Sequence, residues 1–300
     1  MRTAIDRFLQ YLDVERNSSA LTIKSYREDL EMLSYFLSYD DGSLPAPGDV
    51  TSQDLRQYVA AMSEAQYARS SISRRLATLR SFYRFCQRQG YTDKNPAKPL
   101  RNPRKQRSLP HFLSTEEVAK LISSPDTDTP MGKRDQAIFE TIYSAGLRVS
   151  ELVGINDGDL HLDEGLIRVR GKGRKERFAP MGSFAIRAID SWLNARVLAK
   201  DAPQKASAPV FVNRFGRRIT TRSIGRILEK HIKLVGLDSR TSPHTLRHSF
   251  ATHLLDSGAE IRSVQELLGH KSLVTTQIYT HLTTAKLKDV YEKAHPLASN

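Results

Sequence analysis

One cysteine, Cys86, occurs among 300 residues, which excludes an internal disulfide and any zinc site built on several cysteines. Its place in a helical stripe of apolar residues marks it as packing rather than chemistry. Long apolar runs are missing too: no stretch approaches the roughly 18 residues that a membrane-crossing helix needs. No signal peptide is legible either, since MRTAIDRFLQYLDVER reads as an amphipathic helix. The expectation is a reducing, cytoplasmic setting with no membrane contact. Internal repeats and low-complexity segments are also absent. The conspicuous shortage is of acid: 33 Asp and Glu stand against 46 Lys and Arg, a formal net charge of +13. Such an excess suits a polyanionic partner, because neutralising phosphates and releasing counterions supplies most sequence-independent nucleic-acid affinity. A merely solvated basic surface is the plainer alternative. With 39% hydrophobic and 26% charged residues the chain is an ordinary globular protein, long enough for two domains.

What is present begins with helices. Ile5, Phe8, Leu9 and Leu12 recur at the spacing of one buried helical stripe. After the break at Asn17-Ser18-Ser19, residues 22–39 carry Ile23, Tyr26, Leu30, Leu33 and Leu37. Thr51 and Asp54 form a capping-box pattern ahead of Leu55, Tyr58, Val59 and Met62. A fourth helix over about 70–88 packs through Ile72, Leu76, Leu79, Tyr83 and Cys86. Its other faces hold Arg69, Arg74, Arg75, Arg80, Arg84 and Arg88, with few acids in the helix to pair with them. These arginines either form a solvated face or contact a DNA backbone, and Arg74, Arg75, Arg80 and Arg84 are the candidates for contact.

The segment 94–110, KNPAKPLRNPRKQRSLP, holds four prolines and six Lys or Arg without an acid. It reads as a boundary between a domain over 1–93 and another over 111–300, and as a strap in which Arg101, Arg104 and Lys105 follow phosphates. An inert linker is the alternative. Beyond it, Ser114 to Glu117 is a capping box for a helix ending near Ser123, and residues 133–145 form a helix that stops at Gly146. Arg148 then heads a short helix with Glu151 placed to brace it. LIRVR, GKGR and KERFAP read as a β-hairpin with Lys172 at its tip. Helices are predicted over about 183–199, 221–235 and 284–294, with a short strand near Val210 to Val212.

Between these lies the densest chemistry, SPHTLRHSFATHLLDSGAEIRSVQELLGHKSLVTTQIY, residues 242–279. Ser242-Pro243 is a helix start, with Pro at the first helical position, and His244 and Arg247 follow three apart on one turn. Gly258 and Gly269 look like helix stops, and His270 and Tyr279 come after the second. The spacing of His244 and His248 lacks a third ligand and a general-base Glu, so no metal is expected. Arg148, Lys172, His244, Arg247, His270 and Tyr279 together make an inventory for phosphoryl chemistry. Two arginines fork onto non-bridging oxygens, a tyrosine hydroxyl becomes a nucleophile when its phenolate is stabilised, and histidines and a lysine move protons. No carboxylate cluster is present to hold a metal for that task.

The order AGLRVSEL, GKG, HTLRH, LGH and then Tyr279 resembles the tyrosine recombinases (phage integrases) over the whole chain. The wording LGHKSL, TQIYTHL and YEKAHP is most similar to their Xer subgroup, which resolves chromosome dimers. The resemblance implies a mainly α chain with a small antiparallel sheet: a four-helix SAM-like core-binding domain, then an α+β catalytic domain. It implies Arg148, Lys172, His244, Arg247 and His270 as helpers of the nucleophile Tyr279, without cofactor. It further implies a homo- or hetero-tetramer on two double-stranded DNA sites, exchanging strands by way of a 3′-phosphotyrosyl link. In that case the last helix docks onto a neighbouring protomer, a second related recombinase can take part, and a cell-division DNA translocase can activate the complex. A mobile-element integrase and a non-catalytic architectural DNA-binding protein are the competing readings.

Overall fold

The computed structural model describes residues 1–103, 111–171, 176–203, 205–269 and 281–296, with the side chains of 205 and 281–287 left aside. The chain divides into two compact units, Met1–Ser108 and Leu109–Asn300.

Among the described residues the first unit is four helices: α1 (Arg2–Val14), α2 (Ala20–Leu37), α3 (Ser52–Glu64) and α4 (Arg69–Arg88). Each is organised by the apolar stripe its sequence carries. Phe8, Leu30, Leu55, Leu76, Leu79, Tyr83 and Cys86 are all excluded from solvent. The starts are chemical. Ser19, in the segment read as a break, accepts the Thr22 backbone N–H at 3.2 Å and opens α2 two residues earlier than periodicity alone implies. Thr51 and Asp54 close the expected capping box, with the Thr51 N–H donating to Asp54 at 2.8 Å.

The second unit begins with α5 (Thr115–Ile122), α6 (Pro130–Ser144) and α7 (Val149–Gly154). An antiparallel sheet follows, β1 (Leu160–His161), β2 (Leu166–Arg170) and β3 (Glu176–Pro180), in the order β1-β2-β3. Then come α8 (Ser183–Ala195), α9 (Thr221–Val235), α10 (Pro243–Asp256), α11 (Ile261–Leu268) and α12 (His281–Ala294). The mainly helical architecture with a small antiparallel sheet is the one the sequence implies. Its core is centred on Phe139, Tyr143, Trp192, Phe211 and Phe250, each at most 1% exposed.

Three expectations need correction. Helix α6 starts at Pro130 rather than near Lys133: Thr129 caps it by accepting the Gly132 N–H at 3.0 Å, and Pro130 occupies the first turn. Val210 to Val212 is buried but forms no strand. Its backbone pairing stops at an isolated antiparallel bridge, Val212 to Arg218, and the Phe211 carbonyl accepting the Ile219 N–H at 3.0 Å. The other two carbonyls are taken by side chains, Trp192 Nε1 donating to Val210 at 2.8 Å and Arg134 Nη1 to Val212 at 3.2 Å. Helix α8 stops at Ala195 because Arg196 turns extended and forks onto Asp157 at 2.7 and 2.8 Å.

Two further features bear on the reading of the ends. Residues 94–103 are not a free strap: Ala97 and Leu100 are buried in the first unit's core, and the Asn95 amide donates to the Arg80 carbonyl at 3.1 Å. Arg104 and Lys105 lie outside the described residues. Helix α12, expected on a neighbouring protomer, packs in this single chain on its own domain. Tyr291 is 1% exposed with its hydroxyl 2.6 Å from Ser144 Oγ, and His295 stacks on it at 4.8 Å.

The corner between α6 and α7 is fixed by Gly146, whose φ of +57° lies in the left-handed region. A Cβ there would sit 2.5 Å from two ring carbons of the buried Phe250. Gly146→Ala is therefore expected to lose about 3 kcal/mol or more in a urea melt, combining backbone strain with overpacking. Gly258, at φ +87° with nothing within 4 Å of such a Cβ, is the control. Its Ala variant should lose only about 1 kcal/mol.

Candidate active site

Arg148 and Arg247 are separated by a hundred residues and meet at one carboxylate. Arg148 is the residue preceding α7, and Glu151 on the first turn reaches back to it twice: Arg148 N–H donates to Oε2 at 2.8 Å and Nη1 to Oε1 at 2.7 Å. Ser242 caps α10 through a reciprocal pair with Thr245, and Pro243 takes the first helical position. That start sets the azimuth of Arg247, which points inward. Its Nη1 donates to the Gly146 carbonyl, its Nη2 to the Leu268 carbonyl at 2.6 Å, and Nη1 lies 3.8 Å from Glu151 Oε2. Arg247 is 8% exposed. His244, one turn earlier, is exposed, so the two do not share one environment although they share a helix.

A third arginine completes the cluster, one that sequence reasoning did not single out. Arg177 on β3 is 7% exposed and donates to both oxygens of Glu151, Nη1 to Oε1 at 3.2 Å and Nη2 to Oε2 at 3.3 Å. The legible signal was alternation: in ERFAP, Arg177 takes the same inward side of the strand as Ala179. A charge at an inward position demands a partner.

The electrostatics follow from three guanidiniums around one buried carboxylate. Burial pushes Glu151 up, but the charge of Arg177 and the hydrogen bonds from Arg148 outweigh it and hold the group below its ordinary value. Burial and then the Arg148 charge push Arg247 down to about 10, against the pull of Glu151, so it stays protonated at neutral pH. Among the described residues, two positive charges of this cluster have no counter-charge. Among the described residues the Arg148 side chain is hydrogen-bonded through Nη1 alone, which leaves Nε and Nη2 as spare donors on a side chain 37% exposed. Such an arrangement receives an anion with tetrahedral oxygens.

Lys172, His270 and Tyr279 lie outside the described residues. Of the remaining histidines in this stretch, His253 faces inward, its Nδ1 2.8 Å from the Tyr143 hydroxyl. Among the described residues no group of three or more His, Cys, Asp or Glu is disposed to hold a metal.

The candidate DNA-binding arginines of the first unit divide. Arg75 is 8% exposed, 3.4 Å from Asp29, with its guanidinium 4.3 Å over the Tyr67 ring, so it is turned inward. Arg74 also pairs with Asp29. Helix α4 itself carries no acid, but the counter-charge comes from α2, which spacing along one helix does not reveal. Arg80 donates to the Leu100 carbonyl at 2.6 Å and to Asn102 at 3.1 Å. Arg84 and Arg101 are exposed. Arg80, Arg84, Gln87, Asn95 and Lys98 line a basic cleft of about 270 Å³.

The phage integrase family model matches residues 111–286, and the phage integrase N-terminal SAM-like domain matches residues 5–90. The chain belongs to the phage integrase family, the tyrosine recombinases, enzymes that cleave and rejoin DNA. Within it the resemblance is to the XerC and XerD subgroup. The chain is 45% identical to tyrosine recombinase XerC of Pelotomaculum thermopropionicum, covering 99% of both chains. It is 43% identical to tyrosine recombinase XerD of Listeria innocua, covering 99% of this chain and all of that one. In fold it matches the Tn1549 transposon integrase bound to circular-intermediate DNA, with a TM-score of 0.73 over 94% of this chain and 98% of that one, at 20% identity. No helix among the described residues is long and apolar enough to cross a membrane.

Proposed function

We propose that this recombinase acts through a 3′-phosphotyrosyl intermediate and resolves chromosome dimers at a dif-like site. Tyr279 attacks the scissile phosphodiester, its phenolic oxygen forming a bond to phosphorus as the 5′-oxygen leaves. Lys172 protonates that leaving oxygen and His244 takes the tyrosine proton. Arg148 and Arg247 hold the non-bridging oxygens where charge grows in the transition state, and His270 adds a donor. The 5′-OH of the partner strand reverses the step, so bond energy is conserved and no cofactor is required. The observation that carries this reading is the clamp itself: Arg148 and Arg247, distant in sequence, converge on Glu151 in a cluster with more positive charge than its single carboxylate neutralises.

The proposal extends to organisation. Domains over 1–93 and 111–300 flank a basic connection, Arg84, Arg101, Arg104 and Lys105 follow DNA phosphates, and four protomers, of one or two related kinds, act on two duplexes in the cytoplasm. A cell-division DNA translocase then activates the assembly. Residues 94–103 already cover the first unit's core, which leaves the shorter run beyond Pro103 as the connection.

A nicked suicide duplex, which releases the short 5′-OH strand after cleavage, should trap a covalent protein–DNA adduct with the wild-type chain and none with Tyr279→Phe. Equal adduct from the phenylalanine variant would sink the mechanism. Mapping of bound chromosomal sites should give one peak near the replication terminus; peaks confined to the ends of a mobile element would transfer the role to an integrase.

A further inference from the structure

Glu151 has two oxygens, and the way they are shared is informative. Oε1 accepts from Arg148 Nη1 and Arg177 Nη1, while Oε2 accepts from the Arg148 backbone N–H and Arg177 Nη2. The forked, two-oxygen contact thus belongs to Arg177, the one arginine of the three that is assigned no contact with DNA. Arg247 is left at 3.8 Å from the same carboxylate, beyond a hydrogen bond. Arg177 also reaches the C-terminal end of α11. Its Nε donates to the Leu267 carbonyl at 3.3 Å, beside the Leu268 carbonyl that Arg247 takes at 2.6 Å. Two arginines on consecutive carbonyls satisfy acceptors that the end of a helix leaves open. The chain turns away at Gly269, φ +65°, where any Cβ would lie 3.0 Å from Arg177 Nε. The fit of Arg177 thus fixes the corner on one side and Glu151 on the other.

We propose that Arg177 is a positioning residue for the cleavage reaction: by occupying the fork of Glu151 and the Leu267 carbonyl, it holds Arg148 and Arg247 in register while leaving their charge available to the DNA phosphate. The inference rests on the recombinase reading above. Were Arg177 absent, Glu151 would be free to close on Arg247 and form the forked pair that Arg177 now prevents, neutralising the clamp before DNA arrives. A lysine keeps the charge but is a single point of contact. It cannot bridge both carboxylate oxygens and a carbonyl at once.

The test uses the full-length chain and two nicked suicide duplexes. One carries an ordinary scissile phosphodiester; the other carries a methylphosphonate there, neutral because methyl replaces a non-bridging oxygen. A neutral phosphorus centre asks less of a guanidinium clamp. Arg177→Lys should fold and bind the ordinary duplex within about threefold of wild type, since most affinity comes from phosphate contacts elsewhere. Its single-turnover adduct formation on the phosphodiester should fall about tenfold or more, the scale expected when a clamp is misplaced by a fraction of an ångström. On the methylphosphonate the deficit should shrink to about threefold or less. Arg177→Met should show the same pattern more strongly, and if it fails to fold the lysine variant still decides.

Wild-type cleavage by Arg177→Lys would overturn the proposal, and so would an equal deficit on both substrates, which is the signature of a purely structural role. Loss of adduct by the wild type itself, with DNA still bound, would instead overturn the tyrosine-nucleophile reading. Tyr279→Phe, inert on both duplexes, separates the two failures.

Discussion

Glu151→Gln is expected to reduce covalent adduct formation by about a hundredfold or more while DNA binding changes little. The amide preserves length and still offers one oxygen to the Arg148 N–H, so the α7 start survives. It cannot supply the charge that lets Arg148, Arg177 and Arg247 share one site. Three guanidiniums would then repel one another in surroundings where Arg177 and Arg247 are already less than a tenth exposed. Taking one partner from a buried ion cluster costs about 3–5 kcal/mol, so the melting temperature should fall as well. Single-turnover cleavage of a nicked suicide duplex, scored beside a thermal melt, separates the two losses. Wild-type cleavage by this variant would remove Glu151 from the site. The sign of the pH effect is fixed too. A carboxyl whose folded-state pKa lies below its unfolded value stabilises the fold above the unfolded pKa, and that stabilisation is lost as pH falls through the folded one. The wild type should therefore shed part of its stability in acid that Glu151→Gln never had.

Much of this site was legible from pattern, and the parts that were not have physical reasons. Arg148 beside a glycine corner, Glu151 as its brace, and Ser242-Pro243 as the start of the helix bearing Arg247 all follow from local rules, and the chain obeys them. The same cap-then-proline signal at Thr129-Pro130 was hidden in a run of Asp, Thr and Pro that reads equally well as a turn. Local rules are blind to partners from elsewhere. The α4 arginines carry no acid in their own helix, yet Arg74 and Arg75 meet Asp29 from α2. Arg177 lies on a strand predicted correctly, but only its inward alternation announced a partner, and nothing in the spacing names Glu151 as that partner. Val210 to Val212 looked like a strand because it is apolar. Its pairing stops at a single bridge to Arg218, because tertiary contacts from Trp192 and Arg134 take the carbonyls of Val210 and Val212. Residues 94–103 read as linker for their prolines, while Ala97 and Leu100 were enough to fasten them to the first core.

Glu140→Met should stabilise the protein in neutral and mildly alkaline solution, by on the order of 3 kcal/mol at pH 8. Glu140 lies in the C-terminal half of α6 at 5% exposure, and among the described residues its Oε2 has no hydrogen-bond partner. Burial raises its pKa from 4.5 to about 7, with the charge of Arg187 opposing. The direction is the reverse of Glu151's. Below the unfolded pKa both states are protonated and the residue costs nothing through ionisation. Between that value and about 7 the unfolded chain releases its proton while the folded one keeps it, so stability declines as pH rises. Above this window the whole cost is present, roughly 1.4 kcal/mol for each pH unit separating the two pKa values. Methionine matches the length, fills the space and carries no charge to desolvate. Urea melts of wild type and variant should diverge from about pH 5 upward and coincide more nearly below it. A stability difference independent of pH would mean that Glu140 keeps its ordinary pKa in the fold, with Arg187 favouring the carboxylate as much as burial disfavours it.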